Sequence, residues 1–102
     1  MANIDPRLTK AIREARTGGF AKGSSLQAVV TLRSNDPNKP MDPEQTKRSV
    51  NRIVADVGRR LHKEPKDLVI FPNIQAFSID ADAEIIDKIL AEDSVDAASL
   101  DR

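Results

Sequence analysis

Apolar and polar residues alternate between residues 26 and 33, and this period of two predicts a half-buried β-strand. One face of the strand carries Leu26, Ala28, Val30 and Leu32, and the other carries Gln27, Val29, Thr31 and Arg33. Three shorter apolar runs, bounded by turn-forming residues, predict further strands at 67–71, 76–80 and 95–100. The pattern therefore contains the strands of one small sheet.

Apolar residues at helical spacing separate these strands. The longer helix is predicted to begin after Asp42 as its N-cap and to end before Pro65, with an inward stripe of Val50, Ile53, Val54, Val57 and Leu61. A second helix is predicted over 82–92, with Ile85, Ile86, Ile89 and Leu90 inward. Gly58 lies inside the longer helix, where glycine costs about 1 kcal/mol relative to alanine. We expect close approach of the sheet or of the other helix at this position.

A shorter helix is predicted ahead of the first strand, over residues 5–16. Asp5 suits the N-cap, Pro6 suits the first helical position, and Gly18-Gly19 follows as a stop signal. Its apolar face consists of Leu8, Ala11, Ile12 and Ala15. Because an isolated helix of this length is marginal in water, this face must pack on its own domain, on a second copy or on a partner.

The order of the main elements, β-α-β-β-α-β, predicts an α+β fold of the ferredoxin-like class. We expect a sandwich of one four-stranded antiparallel sheet with two helices on one face, plus the extra N-terminal helix. Residues 1–25 would form that helix and a flexible connector, and residues 26–102 would form the sandwich domain. Such a fold does not by itself specify a function, because it hosts many.

Composition limits the classes of protein to which the chain can belong. The 102 residues suffice for one domain with a sizeable core. The absence of cysteine excludes disulfides and thiolate metal sites. No apolar run has the length of a signal-peptide core or of a membrane span. We therefore expect a cytoplasmic protein without membrane association, and secretion by another route stays open.

A net charge of zero conceals a division along the chain. Residues 1–66 contain 14 Lys and Arg against 7 Asp and Glu, whereas residues 67–102 contain 2 against 9. This asymmetry is explained either by an anionic partner or by neutralisation within the fold. In the second case Lys47, Arg59 or Arg60 would approach Asp87 or Glu92 across neighbouring helices.

Candidate catalytic chemistry is sparse. His62 is the only histidine and belongs to a predicted helix end, where its charge suits the helix dipole. The serines lack a nucleophile-elbow context, and the glycines do not form a phosphate-binding loop. The carboxylates of residues 80–96 do not match a calcium loop. We predict a protein that is not an enzyme and that binds no cofactor or metal.

One stripe of the longer helix is basic and consists of Arg48, Arg52, Arg59 and Lys63. Clustered cations favour nucleic acid through release of phosphate counterions. A solvated helix face is the alternative, and Asp56 interrupts the charge. Recognition of RNA on a four-stranded sheet also needs stacking aromatics, which the strands do not offer in that pattern. Nucleic acid is therefore the disfavoured partner.

Three short motifs resemble those of the subtilisin propeptide and proteinase-inhibitor family. Ala76-Phe-Ser-Ile resembles the family's Gly-Phe-Ser-Ala strand, Ile86 and Leu90 resemble its paired helical leucines, and Glu92-Asp-Ser-Val95 resembles its Asp-Pro-x-Val turn. The similarity extends over residues 26–100. It departs from the family pattern at Ala76, where the family has glycine.

The resemblance implies a free-standing, non-catalytic partner of a subtilisin-like serine protease, acting as inhibitor or folding partner. The uncovered face of the sheet would dock on the protease, and the segment after the last strand would lie in the substrate cleft. The residues implied in binding are Val29, Thr31, Ile70 and Ser78 on the sheet, and Ser99, Leu100, Asp101 and Arg102 at the C-terminal end.

The alternative function is an interaction or assembly module that keeps the fold without inhibiting a protease. Contacts would then involve the N-terminal helix and the uncovered sheet face, and self-association through that helix is part of this hypothesis. The sequence alone leaves both functions open.

Overall fold

A computed structural model of the protein describes residues 3–16, 25–34, 39 and 42–101. Along the chain its elements are β1 (Asn3–Ile4), α1 (Pro6–Arg16), β2 (Ser25–Leu32), α2 (Pro43–Leu61), β3 (Asp67–Phe71), a 3₁₀ turn (Pro72–Ile74), β4 (Ala76–Asp82), α3 (Ala83–Leu90) and β5 (Val95–Leu100). The predicted connector up to residue 24 and most of the predicted loop 34–43 lie outside the described residues.

The described strands form one mixed sheet of five, in the order β1-β5-β2-β4-β3. The pairs β5–β2, β2–β4 and β4–β3 are antiparallel, as the sequence predicted. The expectation of a purely antiparallel four-stranded sheet is nevertheless wrong, because β1 pairs with β5 in parallel, Asn3 opposite Ala97 and Ile4 opposite Ala98. A strand of two residues is too short to leave a periodic signal. The broader α+β assignment is confirmed.

The hydrophobic core lies between one face of the sheet and the helices. Strands β2 and β4 contribute Ala28, Val30, Leu32, Phe77, Ile79 and Ala81, and the two longer helices contribute Val50, Ile53, Val54, Val57, Ile85, Ile86 and Ile89. All of these side chains are buried. The alternation in β2 and the helical stripes therefore predicted the core correctly.

Helix α1 belongs to the same core. Leu8 is fully buried and Ile12 is 6% exposed, and both belong to the cluster formed by the sheet and the other helices. Of the three packing options for the apolar face of α1, its own domain is the correct one. The apolar face of α1 is thus covered within the chain, and self-association through that helix stays a prediction.

Hydrogen bonds at Asp5 fix the start of α1. Its carboxylate accepts from the backbone N–H of Arg7 at 3.0 Å and from the Arg7 guanidinium at 3.1 and 3.2 Å. The backbone N–H of Arg7, followed by its side chain, holds the pKa of the Asp5 carboxyl below its ordinary value. The backbone N–H of Asp5 donates to the Ala98 carbonyl at 2.8 Å. The predicted cap is confirmed, and it anchors β1 and α1 to β5.

The charged side chains of α2 form their ion pairs mainly within the helix itself. Arg60 pairs with Asp56 at 3.0 Å and Lys47 with Glu44 at 3.7 Å, both within the helix. These contacts differ from the cross-helix pairs expected for the two cations. A link between the end of α2 and the start of α3 runs through Lys63, whose Nζ lies 3.4 Å from Asp82 and 3.6 Å from Glu84.

The C-terminus of α2 explains its internal glycine. His62 adopts the left-handed conformation with φ of 55°, and the N–H of Lys63 donates back to the Gly58 carbonyl at 3.0 Å. This is the hydrogen-bond pattern of a Schellman cap. A Cβ on Gly58 would lie 2.8 Å from the carbonyl oxygen of Lys63. The close approach expected from the sheet or the other helix comes instead from the helix's own terminating turn.

We predict that Gly58→Ala destabilises the protein by about 1–3 kcal/mol, because the added methyl forces the Lys63 carbonyl away and strains the cap. Helix propensity alone predicts the opposite sign, a gain of about 1 kcal/mol. Urea denaturation followed by circular dichroism measures the difference. Asn51→Ala, at an exposed position of the same helix, is the control and should leave stability unchanged or slightly raised. A more stable Gly58→Ala protein would contradict this account of the cap.

Candidate protein-binding face of the sheet

The face of the sheet opposite the helices carries two rows of side chains that run across the strands. Val69, Ser78, Val29 and Ser99 form the first row, because Ser78 pairs with both Val69 and Val29, and Val29 pairs with Ser99. Phe71, Ala76, Thr31 and Ala97 form the second. We call these eight residues the open face.

Exposed apolar surface is concentrated at one side of the open face. Val69 is 45% exposed and Phe71 is 40% exposed, both on β3, and Ile74 in the adjoining 3₁₀ turn is 64% exposed. These are the large apolar residues left exposed in the described part of the chain. Strand β3 is also the outermost strand on this side of the sheet. Its outer backbone edge pairs with no other described strand, and Val69 and Phe71 are exposed beside it.

Four of the predicted binding residues come together on the open face. Val29, Thr31 and Ser78 are partly exposed there, and Ser99 is exposed. The registers of β2 with β4 and with β5 place three of them in one row. Sequence reasoning placed Val29, Thr31 and Ser78 on this face because β2 alternates cleanly and because Ser78 stands between two buried residues of β4. It had assigned Ser99 to the segment that enters the cleft.

Ile70 and Leu100 lie on the covered face of the sheet rather than on the open face. Ile70 pairs with the buried Phe77, and both Ile70 and Leu100 pack against the core. Strand β3 is apolar on both sides, so alternation could not decide which of its residues face outward. The register with β4 decides it, and it turns Val69 and Phe71 to the open face instead. These two were missed.

The C-terminal residues are held on the sheet rather than projecting from it. Leu100 pairs with Ala28, and the backbone N–H of Asp101 donates to the Gln27 carbonyl at 3.0 Å. Ser99, Leu100 and Asp101 are thus bonded to β2, and the expectation that they lie in a substrate cleft stays a prediction. Arg102, the last residue of that predicted segment, lies outside the described residues.

Next to the first row of the open face, a further row of the same side of the sheet is acidic, and we call it the acidic end. Asp67 and Asp80 stand opposite each other on β3 and β4, and Asp80 also pairs with Gln27. Oxygen Oδ1 of Asp80 is buried and has no hydrogen-bond partner among the described residues. Like charges directly opposite on neighbouring strands are unfavourable, and a buried acceptor without a partner adds to the cost. This end therefore favours a partner that supplies a positive charge.

Groups of residues typical of metal or catalytic sites are scarce in the part of the chain that the structure describes. That part contains no group of three or more His, Cys, Asp or Glu residues that could hold a metal ion. His62 is exposed at the end of α2, beside a concavity of about 1050 Å³ whose described lining contains no serine, threonine or cysteine. Among the described residues, no helix is long and apolar enough to cross a membrane.

Comparison with known proteins adds no relative. No family model, curated protein or solved structure matches the chain significantly. The resemblance to subtilisin propeptides therefore stays a prediction based on the three motifs.

We predict that Asp80→Asn stabilises the isolated protein by about 0.5–1 kcal/mol, because it removes the charge opposite Asp67 with little change of shape. Thermal and urea denaturation at neutral pH measure the effect. Asp93→Asn, in an exposed turn, is the matched control and should change stability by less than about 0.5 kcal/mol. A loss of stability at Asp80→Asn would show that the carboxylate is compensated within the fold.

Proposed function

We propose that this chain is a non-catalytic protein-binding domain that docks through the open face of its sheet, and that its partner is a subtilisin-like serine protease. The observation that carries the proposal is the asymmetry of the sheet. Core residues from the helices cover one face, whereas the other presents Val29, Thr31, Ser78 and Ser99 beside the exposed Val69 and Phe71. An extended, partly apolar face of this kind is typical of a docking surface.

The arrangement of strands supports the family hypothesis. Strands β5-β2-β4-β3 are consecutive antiparallel neighbours, and helices α2 and α3 connect them in the order β-α-β-β-α-β. We infer a ferredoxin-like sandwich that has been extended by β1 and α1. This is the fold that the propeptide resemblance implies. The Ala76-Phe-Ser-Ile motif occupies β4, with Phe77 in the core and Ser78 on the open face.

The size of the open face limits how it can dock. Four strands about 4.8 Å apart and about 17 Å long span roughly 300 Å² in projection. A stable complex buries about 800 Å² on each partner. Docking must therefore include the flanks of the face, of which exposed Ile74 and the acidic end at Asp67 are the nearest. Because residues 99–101 are bonded to β2, we assign the main contact to the face rather than to an inserted tail.

The proposal predicts that the purified protein lowers the activity of subtilisin-type proteases in a titration, or raises the yield when such a protease is refolded from denaturant. The double variant Val69→Lys/Phe71→Lys should weaken either effect at least tenfold, because it places two charges in the contact. Both positions are well exposed, so the fold should be retained.

The matched control is Asn51→Lys/Ala55→Lys, which adds the same charge to exposed positions of α2 on the covered side. It should act like the parent protein in both assays. Absence of inhibition at micromolar excess over several such proteases removes the inhibitory function. Absence of a refolding effect as well removes the protease as partner.

A second candidate function, self-assembly, is favoured by the outer edge of β3, which pairs with no other strand in the described residues. Exposed apolar edge strands readily pair with another chain. Two copies of β3 paired antiparallel about Val69 would place Asp67 of each copy opposite Phe71 of the other, so the acidic residues would not face each other. Pairing would then extend one sheet across both copies.

Self-assembly predicts a dimer in light scattering at about 100 μM protein. The Val69→Lys variant should be a monomer, because the new lysines of the two copies would stand directly opposite each other at the centre of the pairing and repel. A monomeric parent protein at this concentration would contradict the assembly function without bearing on protease binding.

A further inference from the structure

A polar cleft of about 530 Å³ lies beside the N-terminal half of α2. Arg48, Ser49 and Arg52 line it from the helix, and Arg33 and Ser94 line it from the ends of two strands. The backbone N–H of Arg33 donates to the Ser94 carbonyl at 2.6 Å, which fixes the two strand ends together. We call this site the arginine cleft. Arg48 and Arg52 were expected on one stripe of the helix, and the fold places Arg33 beside the same cleft.

The positive charge of the arginine cleft is only partly compensated. Arg48 and Arg52 are four residues apart, a spacing at which like charges on a helix are unfavourable. Neither forms an ion pair with a described residue. Arg33 Nε lies 3.6 Å from Asp96 Oδ1, in a pair whose side chains are about half exposed. Asp42 also lines the cleft, but its carboxylate accepts the Glu44 N–H as the helix N-cap.

We propose that the arginine cleft binds a small anion that carries a diphosphate group. Planar guanidinium groups donate paired hydrogen bonds to phosphate oxygens, and three arginines line this cleft, two from α2 and one from the end of β2. Ser49 and Ser94 add hydroxyl donors without a hydrogen-bond partner among the described residues. The cleft is larger than one phosphate ion and falls in the size range of small-molecule sites.

Aromatic residues argue for a small ligand rather than for single-stranded nucleic acid. Binding of single strands uses aromatic rings on which bases stack. In the described part of the chain, Phe77 is buried in the core and Phe71 is on the open face, so neither lines the cleft. Among the described residues, the site accordingly offers donors for phosphate but no aromatic ring on which a base could stack.

The proposal is independent of protein docking. The cleft is lined by α2, on the covered side of the sheet, whereas docking was assigned to the opposite face. Loss of one activity therefore leaves the other in place.

Titration with inorganic pyrophosphate, followed by amide NMR spectra at constant ionic strength, tests the site. Saturable shifts should be confined to the amides of Arg33, Arg48, Ser49, Arg52 and Ser94 and their neighbours. Arg48→Gln and Arg52→Gln should each weaken binding about tenfold, which corresponds to about 1.4 kcal/mol. Arg52→Lys should weaken it several-fold despite the retained charge, because lysine lacks the paired donors.

Arg59→Gln is the matched control. Arg59 is exposed on the same helix but about 10 Å along the axis from Arg52, and its loss should change affinity less than twofold. The proposal is overturned if pyrophosphate up to 10 mM gives no saturable shifts, or if Arg59→Gln weakens binding as much as Arg52→Gln. It is also overturned if a twelve-nucleotide single strand or a glutamate-rich peptide binds at least a hundredfold tighter than pyrophosphate at the same residues.

Discussion

Strand β2 pairs with β4 on one side and with β5 on the other, and the register of these two ladders determines which side chains of the sheet meet the helices. Val30 faces the core between Phe77 and Ala98, whereas Val29 lies between Ser78 and Ser99 on the opposite face. A slip of one residue would exchange the two sets. The core, the open face and the acidic end all depend on this one alignment.

Sequence periodicity predicted the elements in which apolar residues are buried and polar residues are exposed. The alternation of β2 and the stripes of α2 and α3 separate buried from exposed positions, and the predicted caps at Asp5 and Asp42 agree with the structure. Strand β3 has apolar residues on both sides, so its orientation depended on β4. Strand β1 has only two residues and exists because α1 is tied to β5.

The candidate sites show the same division between local and long-range information. Val29, Thr31 and Ser78 were identifiable because their strands alternate. The sequence predicted only part of the arginine cleft. Arg48 and Arg52 share a helix stripe and were grouped for that reason, whereas Arg33 and Ser94 join the cleft through the pairing of β2 with β5. Part of the charge division is neutralised within the fold, since Lys63 pairs with Asp82 and Arg33 with Asp96. Arg60 and Lys47 pair within α2, and Arg48 and Arg52 form no ion pair with a described residue.

The parallel pairing of β1 with β5 joins residues that are 94 positions apart, Asn3 with Ala97. Synthesis on the ribosome produces β1 and α1 well before β5, the strand to which they are tied. Leu8 and Ile12 therefore lack part of their final surroundings until β5 has been made, and closing so long a loop is entropically slow. Helix α1 is thus made early and secured late, and during that interval it is a natural target for chaperones and proteases.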